Sequence, residues 1–322
     1  GQYPWLHRAV LETRGFADVP IFNASQDPEF YRHFAVVPSE FQRRAWGGVV
    51  ATDLLHRKYR SMRSRARERA AVDRAYQIGL GNLERALENG TRPDAALVSA
   101  FDRLEAELTD EPVPAVTIAV LGENYIRCIA VANAGLAEEL ERLGAEVWFP
   151  SRCEWVMYTN WTARLHCRYE RLPRRMLELL AIDAVQRRDI TRISRTVHGR
   201  LPDTGFPTVH TLLRLAEPYV PRTFEGETVW GIGRTIDFAR RGIGGVIHVA
   251  PFACMVGGIV ESLCHRVSDD LGGFPLLHLE YDGRPDENAA GLLEGFVMRA
   301  HAWQERSGEG MRAVRRGREV RT

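Results

Sequence analysis

The sequence predicts an α/β fold: Rossmann-like, doubly wound, mostly parallel sheets carrying a helical N-terminal segment. Three observations lead there. Residues 116–121 and 246–250 are short, apolar, β-branched runs suited to strands buried on both faces. Each is followed by a loop and then a helical pattern, the alternation that builds parallel sheets. Ahead of them, about 110 residues read as helices joined by short connections.

Taken in order, residues 2–14 predict a helix that passes through Gly15 to a short strand at 19–22. Residues 23–38 read as an irregular, aromatic-containing connection. A helix then starts at Ser39, a suitable N-cap, and runs through Phe41, Ala45, Trp46, Val49 and Leu54. Residues 57–69 form a basic run of Arg57, Lys58, Arg60, Arg63, Arg65, Arg67 and Arg69. Such a run can neutralise phosphate or a cofactor's anionic tail; the favoured reading is a solvated helix face or loop. Residues 72–89 predict another helix, ended by Asn89-Gly90, and residues 93–108 a third.

Pro114 closes a linker and the strand at 116–121 follows. Its loop, Gly122-Glu123-Asn124-Tyr125-Ile126-Arg127, leads into a helix with Ala130, Leu136 and Leu140 on one face. Gly144 stops that helix before a strand at 146–149, a unit expected to cross over right-handedly. The loop places Glu123 and Arg127 at the ligand-facing edge but has no G-x-G-x-x-G, so a dinucleotide fingerprint is absent. Beyond the second strand, Glu154, Tyr158 and Asn160 are ligand-facing candidates, and Trp155 and Trp161 read as packing aromatics. Residues 169–197 predict a long outer helix, broken by Gly205-Phe206-Pro207, and 229–240 a further one.

The central stretch is 244–263. It reads as a strand, a short loop holding Cys254, and a helix opened by Gly257-Gly258. Open parallel sheets bind ligands at such corners, beyond the carboxyl ends of their strands. A thiol there lies near free N–H groups and the positive end of a helix dipole, which favours thiolate. Cys254 reads as a buried structural thiol, as a nucleophile with a distant histidine such as His248 or His210 as base, or as one ligand of an iron–sulfur cluster. A strand at 275–281 delivers Glu280, Tyr281, Asp282 and Gly283 to the same edge. Asp286 opens the last helix, through Leu292, Leu293, Phe296 and Trp303. The resulting division is a helical segment 1–112, an α/β domain 113–306, and a disordered basic tail 307–322.

Composition narrows the function classes. A net charge of +1 over 322 residues gives no global pull towards nucleic acid or membrane, so neither is an expected partner. Lys58 is the only lysine, which fits codon bias in a GC-rich genome. No apolar run approaches the ~20 residues of a membrane span, and no signal peptide leads the chain. Five cysteines (Cys128, Cys153, Cys167, Cys254 and Cys264) form no CxxC pair, arguing against disulfides and for the cytoplasm. There is no G-x-S-x-G and no Cys/His pair at zinc spacing; Cys264 and Cys167 read as core thiols.

Several stretches together resemble the acyl-CoA dehydratase activase-related proteins, of the 2-hydroxyacyl-CoA (2-hydroxyglutaryl-CoA) dehydratase-like superfamily. They are Gly1-Gln2-Tyr3, the helix from Arg44-Ala45-Trp46 to Asp53-Leu54-Leu55, Gly122 to Arg127, Glu154-Trp155 with Tyr158-Thr159-Asn160, Pro251 to Met255, and Leu279 to Gly283. The resemblance implies tandem Rossmann-like units and a 4Fe-4S cluster held at Cys254. It also implies an actin-like ATPase activase domain or subunit as electron-donating partner and an acyl-CoA as substrate. Glu123, Arg127, Asn160 and Asp282 would line the cleft. Family members carry further cysteines ahead of Gly-Gln-Tyr, so this chain reads as the C-terminal part of a larger protein whose other ligands lie upstream. The contrasting expectation is a non-catalytic α/β scaffold domain of a larger multidomain protein.

Overall fold

A computed structural model of the protein describes residues 3–21, 39–107, 115–201, 207–284 and 288–319. The connection at 23–38, Pro114, Gly205-Phe206, Asp286 and residues 320–322 lie outside it. The chain forms two compact units, Gly1–Trp46 and Gly47–Thr322. In the first, helix α1 (Tyr3–Thr13) ends before Gly15. Residues 19–21, expected as strand, are a bend and irregular chain. Nη1 of Arg8 donates to the carbonyls of Ala17 (2.8 Å) and Val19 (3.1 Å), so a side chain supplies what a partner strand would have given.

The second unit is built on a four-stranded, wholly parallel sheet in the order β2-β1-β3-β4. The strands are β1 (Val116–Gly122), β2 (Ala145–Trp148), β3 (Gly245–Pro251) and β4 (Leu276–Tyr281). Register pairs Val116 with Ala145, Ile118 with Gly245, and His248 with His278. Alternation sends Ile118, Val120, Ile247 and Val249 to one face, where they pack with Ile126, Leu136, Leu140 and Phe296. The opposite face meets α10 (Gly226–Arg240) and α11 (Met255–Asp270), where Gly231 approaches His248 and Gly257 approaches His278. Helices thus cover both faces of a parallel sheet, which is the Rossmann-like, doubly wound architecture.

The crossover from β1 to β2 differs from the single helix expected. It is a five-residue helix, α5 (Asn124–Cys128), then turns, then α6 (Leu136–Arg142). Ala134 (φ 52°) and Gly135 (φ 71°) are both left-handed and interrupt the helix. The segment after β2, by contrast, is regular: α7 (Arg152–Tyr169), capped by Ser151, then α8 (Pro173–Thr196) and α9 (Val209–Ala216). The last helix, α12 (Ala289–Glu319), runs on into the stretch expected to be a disordered tail.

Helices α2 (Ser39–Arg65), α3 (Arg69–Glu88) and α4 (Asp94–Ala106) precede the sheet. In α2, Val50, Ala51, Leu54, Leu55 and Met62 are buried. The basic run that ends α2 is not the solvated face expected of it. Arg60 and Arg63 both donate to Glu141 of α6, a carboxylate that is 0% exposed; the Arg60 bond is 3.0 Å. Arg65 donates to Glu146 of β2 at 2.5 Å, and Arg69 to the Glu141 carbonyl at 2.8 Å. Lys58 pairs with Glu105 (2.6 Å) and donates to the Arg200 carbonyl (3.0 Å). A buried carboxylate must be paired, so the Arg60, Arg63, Arg65 and Arg69 contacts tie residues 60–69 to the α/β part within the second compact unit.

Replacing one member of this seam tests its weight. Glu141→Gln removes the charge that Arg60 and Arg63 share and is expected to cost about 3–5 kcal/mol, read as a lower urea midpoint at constant m. Arg65→Ala, at a partly exposed pair, is expected to cost under about 1 kcal/mol.

Candidate functional site

In this strand order the chain reverses direction of growth between β1 and β3, and the crevice at such a switch point is where open α/β sheets hold ligands. Gly122 ends β1 there with φ +108°. A Cβ on it would lie 1.9 Å from the Val249 carbonyl oxygen, so only glycine lets the two strand ends run this close. Glu123 then donates its N–H to the same oxygen (3.0 Å), and its carboxylate caps α5 by accepting from the Ile126 N–H at 2.9 Å. Glu123 is therefore at the edge as expected, with a local structural role.

Arg127 follows one turn later and is 2% exposed. Its Nη2 donates to Asn124 Oδ1, its guanidinium lies 5.5 Å from the Trp230 ring, and its Nε and Nη1 have no hydrogen-bond partner among the described residues. Asn124 Nδ2 in turn donates to Glu227 Oε1 at 3.2 Å. Burial pushes the Glu227 carboxyl up to about 7, with Arg127 opposing and Glu123 adding to the rise. Glu227, from the first turn of α10, was not singled out from sequence; a lone Glu opening a helix carries no signal until the fold buries it.

Cys254 sits where the sequence placed it, half-buried at the N-cap of α11. Ala253 before it is left-handed (φ 58°), a strained conformation for a residue with a Cβ. The corner is fixed by Phe252 N–H to the Tyr281 carbonyl (3.0 Å) and Cys254 N–H to the Pro251 carbonyl (3.1 Å), while the Phe252 and Met255 side chains stand exposed beside the thiol. Asp282 follows β4 at the same edge, accepting from the Arg284 N–H at 2.9 Å. Asn160 is not brought to this edge: its Nδ2 donates to Gln186 Oε1 at 2.6 Å, between α7 and α8. Trp155 and Trp161 pack on Trp230 and His210, as expected of structural aromatics.

The expected 4Fe-4S cluster needs several thiolates, commonly four. The other cysteines are placed apart from Cys254. Cys128 contacts Arg152, and Cys153 is a buried thiol beside Asp53 whose pKa burial drives upward. Cys167 is buried near the end of α7. Cys264 lies ten residues along α11, about 15 Å away at 1.5 Å per residue, its thiol pushed up to about 11 by burial. Among the described residues, the one group of three or more His, Cys, Asp or Glu ligand atoms close enough to share an ion contains no cysteine. The residues present do not fit a complete cluster.

What the edge does contain is a cavity of ≈ 90 Å³ beyond the ends of β1 and β2. Arg57 and Arg60 of α2, Arg127, Arg152 and Arg234 line it, against the carboxylates Asp53, Glu138 and Glu154. The surplus is cationic, and it registers on the groups inside. His56 is driven down to about 3 by burial and by Arg60 and Arg152. Arg57, 4.1 Å over the Trp148 ring, is lowered to about 9 chiefly by burial, which leaves it charged at neutral pH. Besides Arg127, Arg60 keeps a buried Nε without a partner. Glu154, a ligand-facing candidate from the sequence, lines this cavity and pairs with Arg234 at 3.0 Å.

The fold and this site define an α/β protein of Rossmann-like architecture with a polar cavity beyond the ends of β1 and β2. Comparison with protein families, with curated proteins and with solved structures finds no match. Among the described residues no helix is long and apolar enough to cross a membrane.

Glu227 makes the site pH-sensitive in a stated direction. Its folded pKa lies above the ordinary carboxyl value of 4.5, so its contribution to stability is full below 4.5 and is lost as pH rises towards about 7. Unfolding free energies of the wild type should fall across that window by up to ~1.4 kcal/mol per pH unit from this group, and Glu227→Gln should flatten the slope. Equal slopes would show that Glu227 ionises normally.

Proposed function

We propose that this protein is a binding domain for an acidic small molecule, held by a phosphate or carboxylate group in the arginine-lined cavity beyond β1 and β2. The observation that carries this is Arg127: a buried guanidinium lining the cavity, whose Nε and Nη1 find no hydrogen-bond partner among the described residues. Leaving a buried donor unpaired costs on the order of 1–3 kcal/mol, more for a charged group, and an anion would remove that cost. Arginine suits the task because its planar fork donates to two oxygens at once. Arg57, Arg60 and Arg152 supply the surrounding field. An acyl-CoA, whose phosphates are of this chemistry, belongs to the class of ligand proposed.

Titration calorimetry and thermal unfolding with inorganic phosphate, citrate and coenzyme A test the reading. Saturable binding by at least one is expected, with a raised Tm, weakening as salt is added. Arg127→Met and the rim variant Arg152→Ala should each weaken it roughly tenfold or more. Absence of saturable binding by all three, or affinity unchanged in both variants, would overturn it.

The exposed corner at Cys254 favours a second reading, a dehydratase-like redox component in which Cys254 is one cluster ligand and residues upstream in a larger protein supply the other thiolates. Iron and acid-labile sulfide would then be retained by the protein extended upstream after cluster reconstitution and lost in its Cys254→Ser variant. Equal iron in wild type and variant would end that reading.

A further inference from the structure

On the far side of the switch point from the arginine cavity, three side chains converge that the proposed anion site does not use. We propose that Glu261, His278 and Glu280 bind a divalent cation of the zinc class, leaving at least one coordination position to water or substrate. Glu261 comes from the second turn of α11, and His278 and Glu280 from alternate positions of β4, which puts both on one face of the strand. One ligand atom from each lies within 4.8 Å of the other two, and His278 Nε2 is 3.9 Å from Glu280 Oε1.

The independent observation is the imidazole. The His278 side chain is only 5% exposed, yet neither Nδ1 nor Nε2 has a hydrogen-bond partner among the described residues. A buried imidazole without partners is costly, so a ring nitrogen facing two carboxylates without bonding either points to something held between them. The ring is also fixed in place. It stacks on His248 of the neighbouring strand (5.3 Å, 18° between planes), and Gly257 of α11 closes over its edge. A Cβ at Gly257 would lie 3.4 Å from His278 Cε1 and 2.6 Å from the Ala250 Cβ, so the helix sits this near the strand only because that residue is glycine.

The donor set selects the ion. One imidazole and two carboxylates suit zinc and its first-row neighbours, with Zn–N and Zn–O distances near 2.0–2.2 Å and donors ~3.4 Å apart around a tetrahedral ion. Both glutamates are exposed, so their carboxylates can close onto an ion while the histidine stays as it is. An all-oxygen shell, which magnesium and calcium prefer, is not what these residues offer.

The test uses the full chain stripped of metal with chelator. Titration with ZnCl2 is expected to saturate at a single ion per chain, and Glu261→Gln and Glu280→Gln should each weaken binding roughly tenfold or more. Because both glutamates are exposed, the far-UV circular dichroism of the variants should match the wild type. Cobalt substitution should give a tetrahedral visible spectrum without a thiolate charge-transfer band. Absence of saturation, affinity unchanged in both glutamate variants, or a thiolate band that places the ion on a cysteine would each overturn the assignment.

Discussion

The rest of the structure depends on a single buried carboxylate. Glu141 has no access to water, so its charge has to be met from within the chain, and Arg60 and Arg63 of α2 meet it. Arg65 repeats the contact one turn on with Glu146. These pairs fix α2 along the β2 edge of the sheet, and in doing so they fix the position of Arg57 and Arg60 over the ends of β1 and β2. The helix that closes the fold is therefore the same helix that lines the cavity. A side chain committed to Glu141 at one turn gives its neighbours a rigid platform at the turn before, which is how a binding surface gains precision from packing.

The strand order distributes charge along the carboxyl edge. Arginines crowd over β1 and β2, while Glu261 and Glu280 stand with His278 over β3 and β4. Between the two lies the switch point, where Gly122 allows the backbones of β1 and β3 to meet and Ala253 turns the chain into Cys254. A cationic and an anionic district on one edge are compatible because each is lined by its own helices: α2 and α7 on one side, α11 on the other. The residue at the boundary, Cys254, is tied by its N–H to the Pro251 carbonyl and by its own carbonyl to the Gly258 N–H.

Much of the scaffold was readable from residue pattern. Apolar β-branched runs gave β1 and β3, which are covered on both faces, whereas β2 and β4 carry Glu146, His278 and Glu280, and residues 19–21, expected to belong to a strand, are bend and irregular chain. The corner at Cys254 and the edge positions of Glu123, Arg127 and Asp282 followed from where strands end. Errors arose where a local pattern had two outcomes. The arginine run had the composition of a solvated face, and only the acidic partners in α6 and β2 made it an interior seam. Residues 130–135 continued a helical pattern that two left-handed residues interrupt. Asn160 shares a helix with residues near the edge, but its own turn faces α8.

By itself the sequence determined the class of fold, the edge at which chemistry can occur and which residues end each strand there, because these follow from hydrophobic periodicity along the chain. What only the tertiary structure decided is which distant side chains meet. Glu227 comes beside Arg127 across 100 residues, Arg57 and Arg234 share one cavity, and Glu261 on a helix faces His278 and Glu280 on a strand. Charge and coordination depend on separations of a few ångströms and on exclusion of water. Neither quantity is a property of any stretch of the chain taken alone; both are created when the elements pack.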